Sequence, residues 1–287
     1  MLTNKPGTHF TGVIGWPLEY TLSPVLHAAA FRRLSLDWMY LAWPVPPERL
    51  GDAVRGLRAL GAAGANVTMP HKETVIEHLD GLSGDAREVG AVNTIQLLGE
   101  RLVGHNTDVD GFRDFLEADA GYDPRGRRAL VLGAGGAARA VVKALTDLGT
   151  EVTVAARRDD AVRSISDDLG AEPLAWDGAE AAAREADIVV NATPIGMRDN
   201  ADPVPAAEFR SGQLVADLVY DPPTTPLVAR ARAAGADAWG GVGMLVHQAA
   251  ASFRIWTATD PPLEAMSAAA VHAIGSHGRD GRRAFRG

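Results

Sequence analysis

A lysine and an aspartate in the first half of the chain have the side chains that proton transfer requires. Lys72 closes the run NVTMPHK just after a proline turn, and Asp108 closes the triplet NTD. A lysine after a turn is, by itself, typical of a solvated surface charge. A lysine and an aspartate that meet in a cleft shift each other's pKa and fix each other's geometry, as acid–base catalysis needs. Thr68 and Asn93 add side chains that can bind the hydroxyls of a small polyol acid.

A pair of hydroxyl residues lies in the run GWPLEYTLSP. Thr21 and Ser23 are two residues apart, so in an extended loop both hydroxyls face the same side. Pro24 is typical of the first turn of a helix, which would make Ser23 a simple N-cap. The alternative is a pair of donors for a substrate carboxylate at the helix N-terminus. These residues alone support the two interpretations equally.

A glycine-rich loop follows the short apolar run Ala129–Leu132, and a helical pattern from Arg139 to Leu148 follows the loop. Its sequence GAGGAA fits the dinucleotide fingerprint, in which small residues permit a tight turn and close approach of the pyrophosphate. Backbone N–H groups and the helix dipole then face the phosphates. An ordinary glycine-rich turn is the alternative, but the order strand, loop, helix favours a dinucleotide site. The candidate phosphate-binding residues are Gly133, Gly135, Gly136, Ala137 and Ala138.

The next predicted strand, Glu151–Ala155, indicates which dinucleotide binds. An NAD site would place an acidic residue near Ala156, whereas the chain continues with Arg157 and Arg158. Guanidinium groups are planar donors that suit phosphate oxygens. Asp159 and the residue after it would offset part of this positive charge. The pattern therefore favours NADP over NAD.

Composition excludes several other classes of protein. The 287 residues include 28 Lys and Arg against 36 Asp and Glu, and the net charge of −8 disfavours a nucleic-acid partner. Cysteine is absent, which removes disulfides, a thiol nucleophile and thiolate metal ligands; no metal site is predicted. No apolar run approaches the roughly 20 residues that span a bilayer. The N-terminus lacks the pattern of a secretory signal, so we expect a cytoplasmic protein without a membrane partner.

Alternating strand and helix patterns predict an α/β protein with two domains. An N-terminal αβ substrate-binding domain is expected over residues 1–112, with a hairpin across Gly99-Glu100 and a linker at Gly121–Arg127. A doubly wound, Rossmann-like NADP-binding domain is expected over residues 113–240, with five parallel strands. Residues 241–274 should form helices that return to the first domain. Residues 275–287, which are rich in arginine and glycine, are expected to be a disordered tail.

Eight motifs in this order resemble the shikimate dehydrogenase family over nearly the whole chain. They are TLSPVLH, NVTMPHK, GAVNTI, NTDVDG, GAGGAA, NATPIGM, DLVYDPPTTPL and GMLVHQAA. The resemblance implies the two-domain fold and the reversible reduction of 3-dehydroshikimate by NADPH. The partner would be this small-molecule substrate, and the protein would be a monomer or homodimer.

The resemblance also implies roles for individual residues. Lys72 and Asp108 would be the catalytic pair. The residues that would bind substrate are Thr21, Ser23, Thr68, Asn93, Asp108, Tyr220 and Gln248. Besides the phosphate loop, the residues that would bind NADP are Arg157, Arg158, Thr193, Met197, Val219, Gly243 and Met244.

Two positions depart from the family pattern. Thr21 stands where a serine is usual, and its extra methyl leaves shikimate, quinate and an amino analogue open as substrates. Arg158 replaces the usual threonine of the 2′-phosphate clamp and adds a cation, which favours NADP. Three interpretations follow: a biosynthetic shikimate dehydrogenase, a quinate/shikimate or aminoshikimate dehydrogenase, and a ligand-sensing relative without turnover. A sensor should have lost the proton-transfer pair, and here Lys72 and Asp108 are both present.

Overall fold

The computed structural model describes residues 8–284, and for residues 276–284 it describes the backbone alone. The chain forms two compact units. The first comprises the chain up to Thr107 and again from Gln248, and the second comprises Asp108–His247. The domain boundaries expected after residues 112 and 240 stay predictions beside this division.

The first unit is built on a six-stranded mixed sheet with the order β2-β1-β3-β5-β6-β4. β1 pairs in parallel with β2 and β3, whereas β5 is antiparallel to β3 and β6. The hairpin predicted over Gly99-Glu100 is therefore confirmed. The strands are β1 His9–Gly15, β2 Trp38–Pro44, β3 Gly64–Val67, β4 Gly81–Leu82, β5 Thr94–Leu98 and β6 Arg101–His105.

Helices of the first unit cover this sheet with apolar faces. α2 (Leu50–Leu60) buries Leu50, Val54 and Leu57, whose spacing is that of one helical face, and it ends at Gly61 in the left-handed conformation. These side chains pack with Ile14, Val67 and Ile95 of the strands in one core. The remaining helices described in this unit are α1 Ser23–Arg33, α3 Gly84–Val89, α10 Leu263–Ala284 and the 3₁₀ turns Pro47–Arg49 and Thr74–His78.

The structure decides the open question of the Ser23 cap, and it corrects a second prediction, that Thr74–Leu79 forms a short helix. Ser23 does not cap α1: the helix begins at Ser23, Leu22 precedes it, and no side chain makes a capping bond. The short helix expected from Thr74 is a 3₁₀ turn. β4 and α3 were not predicted, because a two-residue strand and a six-residue helix carry too little hydrophobic periodicity to read.

The second unit is built on a six-stranded parallel sheet with the order β12-β11-β10-β7-β8-β9. In chain order within this unit, the arrangement is the 3-2-1-4-5-6 of a doubly wound dinucleotide-binding sheet, which confirms the predicted fold class. The strands are β7 Arg128–Leu132, β8 Glu151–Ala156, β9 Glu172–Ala175, β10 Ile188–Asn191, β11 Leu214–Asp217 and β12 Asp237–Trp239. β9 is an edge strand beyond the five that the sequence predicted.

Apolar helices pack on this parallel sheet. Leu130, Val189 and Val215 of the strands share one buried core with Ala183 and Leu227 of two helices. The helices are α4 Asp108–Asp114 with the π turn Phe115–Asp119, α5 Gly136–Asp147, α6 Asp159–Leu169, α7 Ala179–Glu185 and α8 Pro226–Ala233. α9, Val242–Thr257, contains the last residues of this unit and the first of the returning segment.

The expected tail, residues 275–287, is described as far as residue 284, and beyond Gly275 as backbone alone. The backbone of α10 is placed as far as Ala284, and residues 285–287 are not described. Disorder of this segment stays a prediction. Among the described residues, no helix is both long enough and apolar enough to cross a membrane.

Candidate active site

The hydroxyl pair predicted between β1 and α1 is held at the start of the helix. The Ser23 backbone N–H donates to Thr21 Oγ1 at 3.3 Å, so the structure brings the two residues together. Ser23 is buried, and Thr21 is partly exposed. Because Ser23 is not consumed as a cap, a role in binding stays open to its hydroxyl.

Asn93 and Gln248, both predicted to bind substrate, also meet in the first unit. The Asn93 side-chain amide donates to Thr107 Oγ1 at 2.8 Å and to Gln248 Oε1 at 3.4 Å. Asn93 Oδ1 accepts from the Thr107 backbone N–H at 2.7 Å. These bonds fix the orientation of the Asn93 amide, and they tie the loop before β5 to α9.

Behind Asn93 lies a buried polar cluster that the sequence did not single out, formed by Asn66, Thr94, Thr107 and Ser252. Asn66 Nδ2 donates to Ser252 Oγ and to Thr94 Oγ1, both at 3.0 Å. Ser252 Oγ also lies 2.7 Å from Thr94 Oγ1 and 3.1 Å from Thr107 Oγ1. The available signal was Ser252 itself, a polar residue one turn beyond Gln248 on an apolar stretch.

Tyr40 of β2 closes this cluster on the other side. Its hydroxyl donates to Asn66 Oδ1 at 2.6 Å, and its ring stacks on His27 of α1 with the ring centroids 4.3 Å apart. Burial raises the pKa of Tyr40 and lowers the pKa of His27 to about 3. Both side chains are therefore neutral at physiological pH.

The backbone around Lys72 is fixed on both sides. The Thr68 N–H donates to the Ile14 carbonyl at 2.9 Å, which joins this loop to β1. The Val92 N–H donates to the Lys72 carbonyl at 2.7 Å, one residue before Asn93. The ring of His71, which is buried, bonds the Val45 carbonyl at 2.7 Å. Lys72 is itself only partly exposed. Its side chain therefore extends from a backbone that neighbouring residues hold in place.

Asp108 begins α4 and is 4% exposed. A carboxylate in the first turn is favoured by the helix dipole. The backbone N–H of the preceding residue, Thr107, donates to Asn93 Oδ1. The backbone next to Asp108 is therefore held by Asn93, a substrate-binding candidate. Lys72 belongs to the first unit and Asp108 opens the second; proton transfer between them stays a prediction.

The glycine-rich loop joins β7 to α5 at the point where the strand order of the second sheet reverses. Gly133 has φ +115°, and a Cβ there would lie 2.9 Å from the Ala192 carbonyl oxygen of the loop after β10. A side chain at this position would therefore be strained and would collide. Helix α5 begins at Gly136, three residues earlier than expected, so its first turn contains Ala137 and Ala138. The predicted arrangement of strand, loop and helix is confirmed.

Arg157 and Arg158 are exposed just beyond β8, which ends at the buried Ala156. Arg158 Nε lies 3.7 Å from Asp160 Oδ1, and both side chains are about three-quarters exposed. Such a long, solvated ion pair contributes little. The two guanidinium groups thus stand at the end of the strand where a 2′-phosphate clamp is expected.

Two buried polar residues organise the loops after β10 and β11. Asn191 Oδ1 accepts from the Thr193 backbone N–H at 3.1 Å and from Thr193 Oγ1 at 2.7 Å. Asp217 Oδ1 accepts from the Val219 N–H at 3.0 Å. Desolvation is the main reason why the pKa of Asp217 rises to about 6. The sequence named Thr193 and Val219 as candidates but not the residues that hold them; the signal was a polar residue ending each apolar strand.

The remaining candidates of the second unit lie in the same loops and at the start of α9. Met197 and Tyr220 are partly exposed, and Met244 is buried. Gly243 packs against the π turn, since a Cβ there would collide with Asp119 Oδ2. Among the side chains described, residues 8–275, no group of acidic and histidine residues could hold a metal ion.

Comparison with known families identifies matches along most of the chain. Residues 13–95 match the shikimate dehydrogenase substrate binding domain. Residues 117–200 match the shikimate/quinate 5-dehydrogenase family, and residues 241–271 match the shikimate 5′-dehydrogenase C-terminal domain. The substrate-domain match contains Thr21, Ser23, Thr68, Lys72 and Asn93.

Individual relatives are similar over nearly their full length. The shikimate dehydrogenase (NADP⁺) of Methanopyrus kandleri is 44% identical, covering 93% of this chain and 96% of its own. The enzyme of the same name from Methanothermobacter thermautotrophicus is 42% identical with the same coverage. The shikimate 5-dehydrogenase of Thermus thermophilus, crystallised with NADP(H) and shikimate, superposes with a TM-score of 0.84 at 39% identity, covering 92% of this chain and 99% of that one.

Proposed function

Because the chain belongs to the shikimate dehydrogenase family, we propose that it catalyses the reversible, NADP-dependent reduction of 3-dehydroshikimate to shikimate. One observation carries this proposal: 44% identity to an enzyme named shikimate dehydrogenase (NADP⁺), over 93% of this chain.

The second unit fits NADP. Gly133 lets the loop pack against the Ala192 carbonyl, where a Cβ would collide, and the space beside Gly135 is open. The N–H groups of the first turn of α5 are placed to bind phosphate oxygens. Arg157 and Arg158 are exposed and can hold the 2′-phosphate. Thr193, Met197, Val219, Gly243 and Met244 would surround the ribose and nicotinamide. When bound, the dinucleotide supplies or accepts the hydride.

The first unit fits a small polyhydroxylated acid. Thr21 and Ser23 present adjacent hydroxyls at the start of α1, as required for a carboxylate. Asn93 and Gln248 form a fixed amide pair that can bond ring hydroxyls, with Thr68 on the neighbouring loop. Tyr220 of the second unit would lie beside the ring.

Lys72 and Asp108 would carry the proton. Lys72 gives a proton to the carbonyl oxygen as the ketone is reduced, and takes it back from the hydroxyl in the reverse direction. Asp108 would hold the lysine in place and also bind a ring hydroxyl. The rigid backbone at Lys72, bonded to Val92, supports a positioned acid rather than a freely moving surface charge.

The proposal is tested by adding 3-dehydroshikimate to the purified protein with NADPH. We expect consumption of NADPH and formation of shikimate in equal amounts, with the product identified by chromatography against a standard. Folded protein that consumes no NADPH would refute the assignment and return attention to a ligand-sensing relative.

Quinate oxidation is the second activity to consider, because Thr21 adds a methyl group beside the expected carboxylate and the family model over residues 117–200 names both substrates. The relatives named as NADP⁺ shikimate dehydrogenases do not favour it. A cytoplasmic location, a monomeric or homodimeric state and the absence of a nucleic-acid partner remain predictions from the sequence.

A further inference from the structure

The buried carboxylate of Asp217 joins the end of β10 to two points of the loop that follows β11. It lies at the end of β11, is 1% exposed, and is paired in register with Asn191 at the end of β10. Its Oδ1 accepts from Asn191 Nδ2 at 2.9 Å and from the Val219 N–H at 3.0 Å. Its Oδ2 accepts from Thr225 Oγ1 at 2.6 Å. One side chain thus receives three hydrogen bonds from three directions.

The first of these partners controls the loop after β10. Asn191 Nδ2 also donates to the Ile195 carbonyl at 3.1 Å, while Asn191 Oδ1 accepts from both donors of Thr193. Thr193 Oγ1 in turn accepts from the Ile195 N–H at 3.2 Å. The Asn191 amide must keep its nitrogen toward Asp217 for this set of bonds to form, because only then does its oxygen face Thr193.

The other partners control the segment after β11. Val219 is fixed by its bond to Asp217, and its carbonyl accepts from the Gly241 N–H at 3.0 Å, just before α9. Thr225 is the N-cap of α8 and accepts from the Val228 N–H at 3.3 Å while it donates to Asp217. The carboxylate therefore fixes the start and the end of the loop that carries Tyr220.

We propose that Asp217 is a positioning residue for the nicotinamide half of the cofactor, which acts through Asn191 on Thr193 and directly on Val219. This inference rests on the proposed function, since Thr193 and Val219 are themselves proposed to contact NADP. Because Asp217 is 1% exposed, its role is to hold these residues and not to contact the substrate. Its carboxylate is required because a carboxylate offers acceptors only, and every neighbour that the structure places against it is a donor.

Asp217→Asn is the variant that tests the inference. If the new amide turns its oxygen toward Asn191 and Val219, its nitrogen replaces Oδ2, the atom to which the Thr225 hydroxyl donates. The hydroxyl proton of Thr225 then has no acceptor there. If the amide turns the other way, its nitrogen faces two N–H donors, the Asn191 side-chain amide and the Val219 backbone N–H. In both orientations at least one buried donor loses its acceptor, without a change in side-chain volume.

We expect Asp217→Asn to raise the dissociation constant of NADPH about tenfold, which corresponds to the loss of one buried, charge-assisted bond. The constant is measured from the fluorescence of bound NADPH, and the KM values for NADP⁺ and shikimate are measured separately. The KM for shikimate should change less than about twofold. Asp187→Asn is the control, because Asp187 lies immediately before the neighbouring strand β10, at the end away from Asn191, and accepts from the Arg128 N–H. This variant should bind NADPH like the wild type.

Three results would overturn the inference: a folded Asp217→Asn that binds NADPH as the wild type does, equal increases in both KM values, or the same loss in Asp187→Asn. A wild type that neither binds NADPH nor turns over would instead refute the proposed function. If Asp217→Asn does not fold, Thr225→Val and Thr225→Ser replace it. The valine variant should weaken NADPH binding severalfold and the serine variant should restore it; equal binding by the two would refute the inference.

Discussion

At the scale of single residues, the first unit holds its polar groups in fixed orientations. Asn93 has its amide nitrogen bonded to Thr107 and Gln248 and its oxygen bonded to the Thr107 N–H. Lys72 is anchored through its backbone to Val92, the neighbour of Asn93. A reactive side chain on a fixed backbone loses little freedom when a substrate binds, which is the condition for efficient proton transfer.

Replacement of Lys72 tests its proposed role. Lys72→Met removes the proton donor but keeps the aliphatic length, so kcat should fall by about 10²–10⁴-fold while the KM for shikimate changes much less. Lys143→Met is the control, because Lys143 is bonded to Asp147 at 2.5 Å on α5, one turn away. Initial rates over a range of shikimate concentrations give kcat and KM for each variant. A Lys72→Met enzyme with normal kcat and a raised KM would show that the lysine only binds.

Replacement of Arg157 tests the choice of cofactor. Arg157→Ala removes a guanidinium from the proposed 2′-phosphate clamp, so the KM for NADP⁺ should rise about tenfold or more while the weak use of NAD⁺ is unchanged. Arg163→Ala, an exposed arginine further along α6, is the control and should behave like the wild type. Equal effects on NADP⁺ and NAD⁺ would place Arg157 elsewhere than at the 2′-phosphate.

At the scale of elements, α9 is joined to the sheet of the first unit by polar bonds as well as apolar contacts. Ser252 bonds Asn66, Thr94 and Thr107, and Gln96 Nε2 donates to the Ile255 carbonyl at 2.7 Å. The Trp256 indole N–H donates to the Ile95 carbonyl at 2.9 Å. The same helix carries Gln248, so these bonds determine where a substrate-binding candidate is held.

Ser252→Ala should therefore destabilise the protein. The change leaves three buried polar groups with one partner fewer, so the free energy of unfolding should fall by about 1–3 kcal/mol. Denaturation with urea, followed by tryptophan fluorescence, measures this difference. Thr257→Ala should cost less, because it removes a part-buried hydroxyl whose bonds, to the Phe253 carbonyl and from the Thr259 N–H, are local ones at the end of the helix. A larger loss in Thr257→Ala than in Ser252→Ala would contradict the importance of the buried cluster.

Elements were predictable where one segment carried its own pattern. The run Ala129–Leu132, the glycine loop and the helix after it were predicted because each has a distinct local composition. The alternation of strands and helices implied a helix after β8, but the limits of α6 were not predicted, because it buries only Val162 and Ile165. The 3₁₀ turn at Thr74 was predicted as an ordinary helix, because a single turn of either kind has the same apolar spacing.

The geometry of the site was less predictable than its residue types. The motifs identified Asn93 and Gln248, yet their contact joins residues 155 positions apart. The bond between Asn66 and Ser252 spans 186 positions. Such pairs depend on how strands and helices pack, which hydrophobic periodicity does not specify. The same limit hid the role of Asp217, because its partner Asn191 lies on a neighbouring strand 26 positions away.

At the scale of the whole molecule, two buried titratable groups make opposite contributions to stability as pH changes. The pKa of His27 is about 3 in the folded protein and 6.5 when exposed, so its contribution is fully present above pH 6.5 and is lost as pH falls. The pKa of Asp217 is raised from 3.8 to about 6, so its contribution is fully present below pH 3.8 and is lost as pH rises toward 6.

His27→Phe isolates the first of these effects, because phenylalanine keeps a ring against Tyr40 but cannot bind a proton. The wild type should lose up to about 1.4 kcal/mol of unfolding free energy per pH unit below pH 6.5 through His27 alone. The variant should lose less over the same range, while the opposite effect of Asp217 remains in both proteins and cancels in the comparison. Urea denaturation at a series of pH values measures the two slopes. Equal slopes of unfolding free energy against pH in the two proteins would show that folding does not lower the pKa of His27.

The most direct test of the central claim is the reduction of NADP⁺ by shikimate, followed through the absorbance of the reduced nicotinamide. Shikimate and quinate are each tried with NADP⁺ and with NAD⁺ on the same preparation of folded protein. Membership of the shikimate dehydrogenase family and the two exposed arginines after β8 predict strong turnover with shikimate and NADP⁺ and much weaker turnover in the other pairings. Faster turnover with quinate or with NAD⁺, or no turnover in any pairing, would contradict the account.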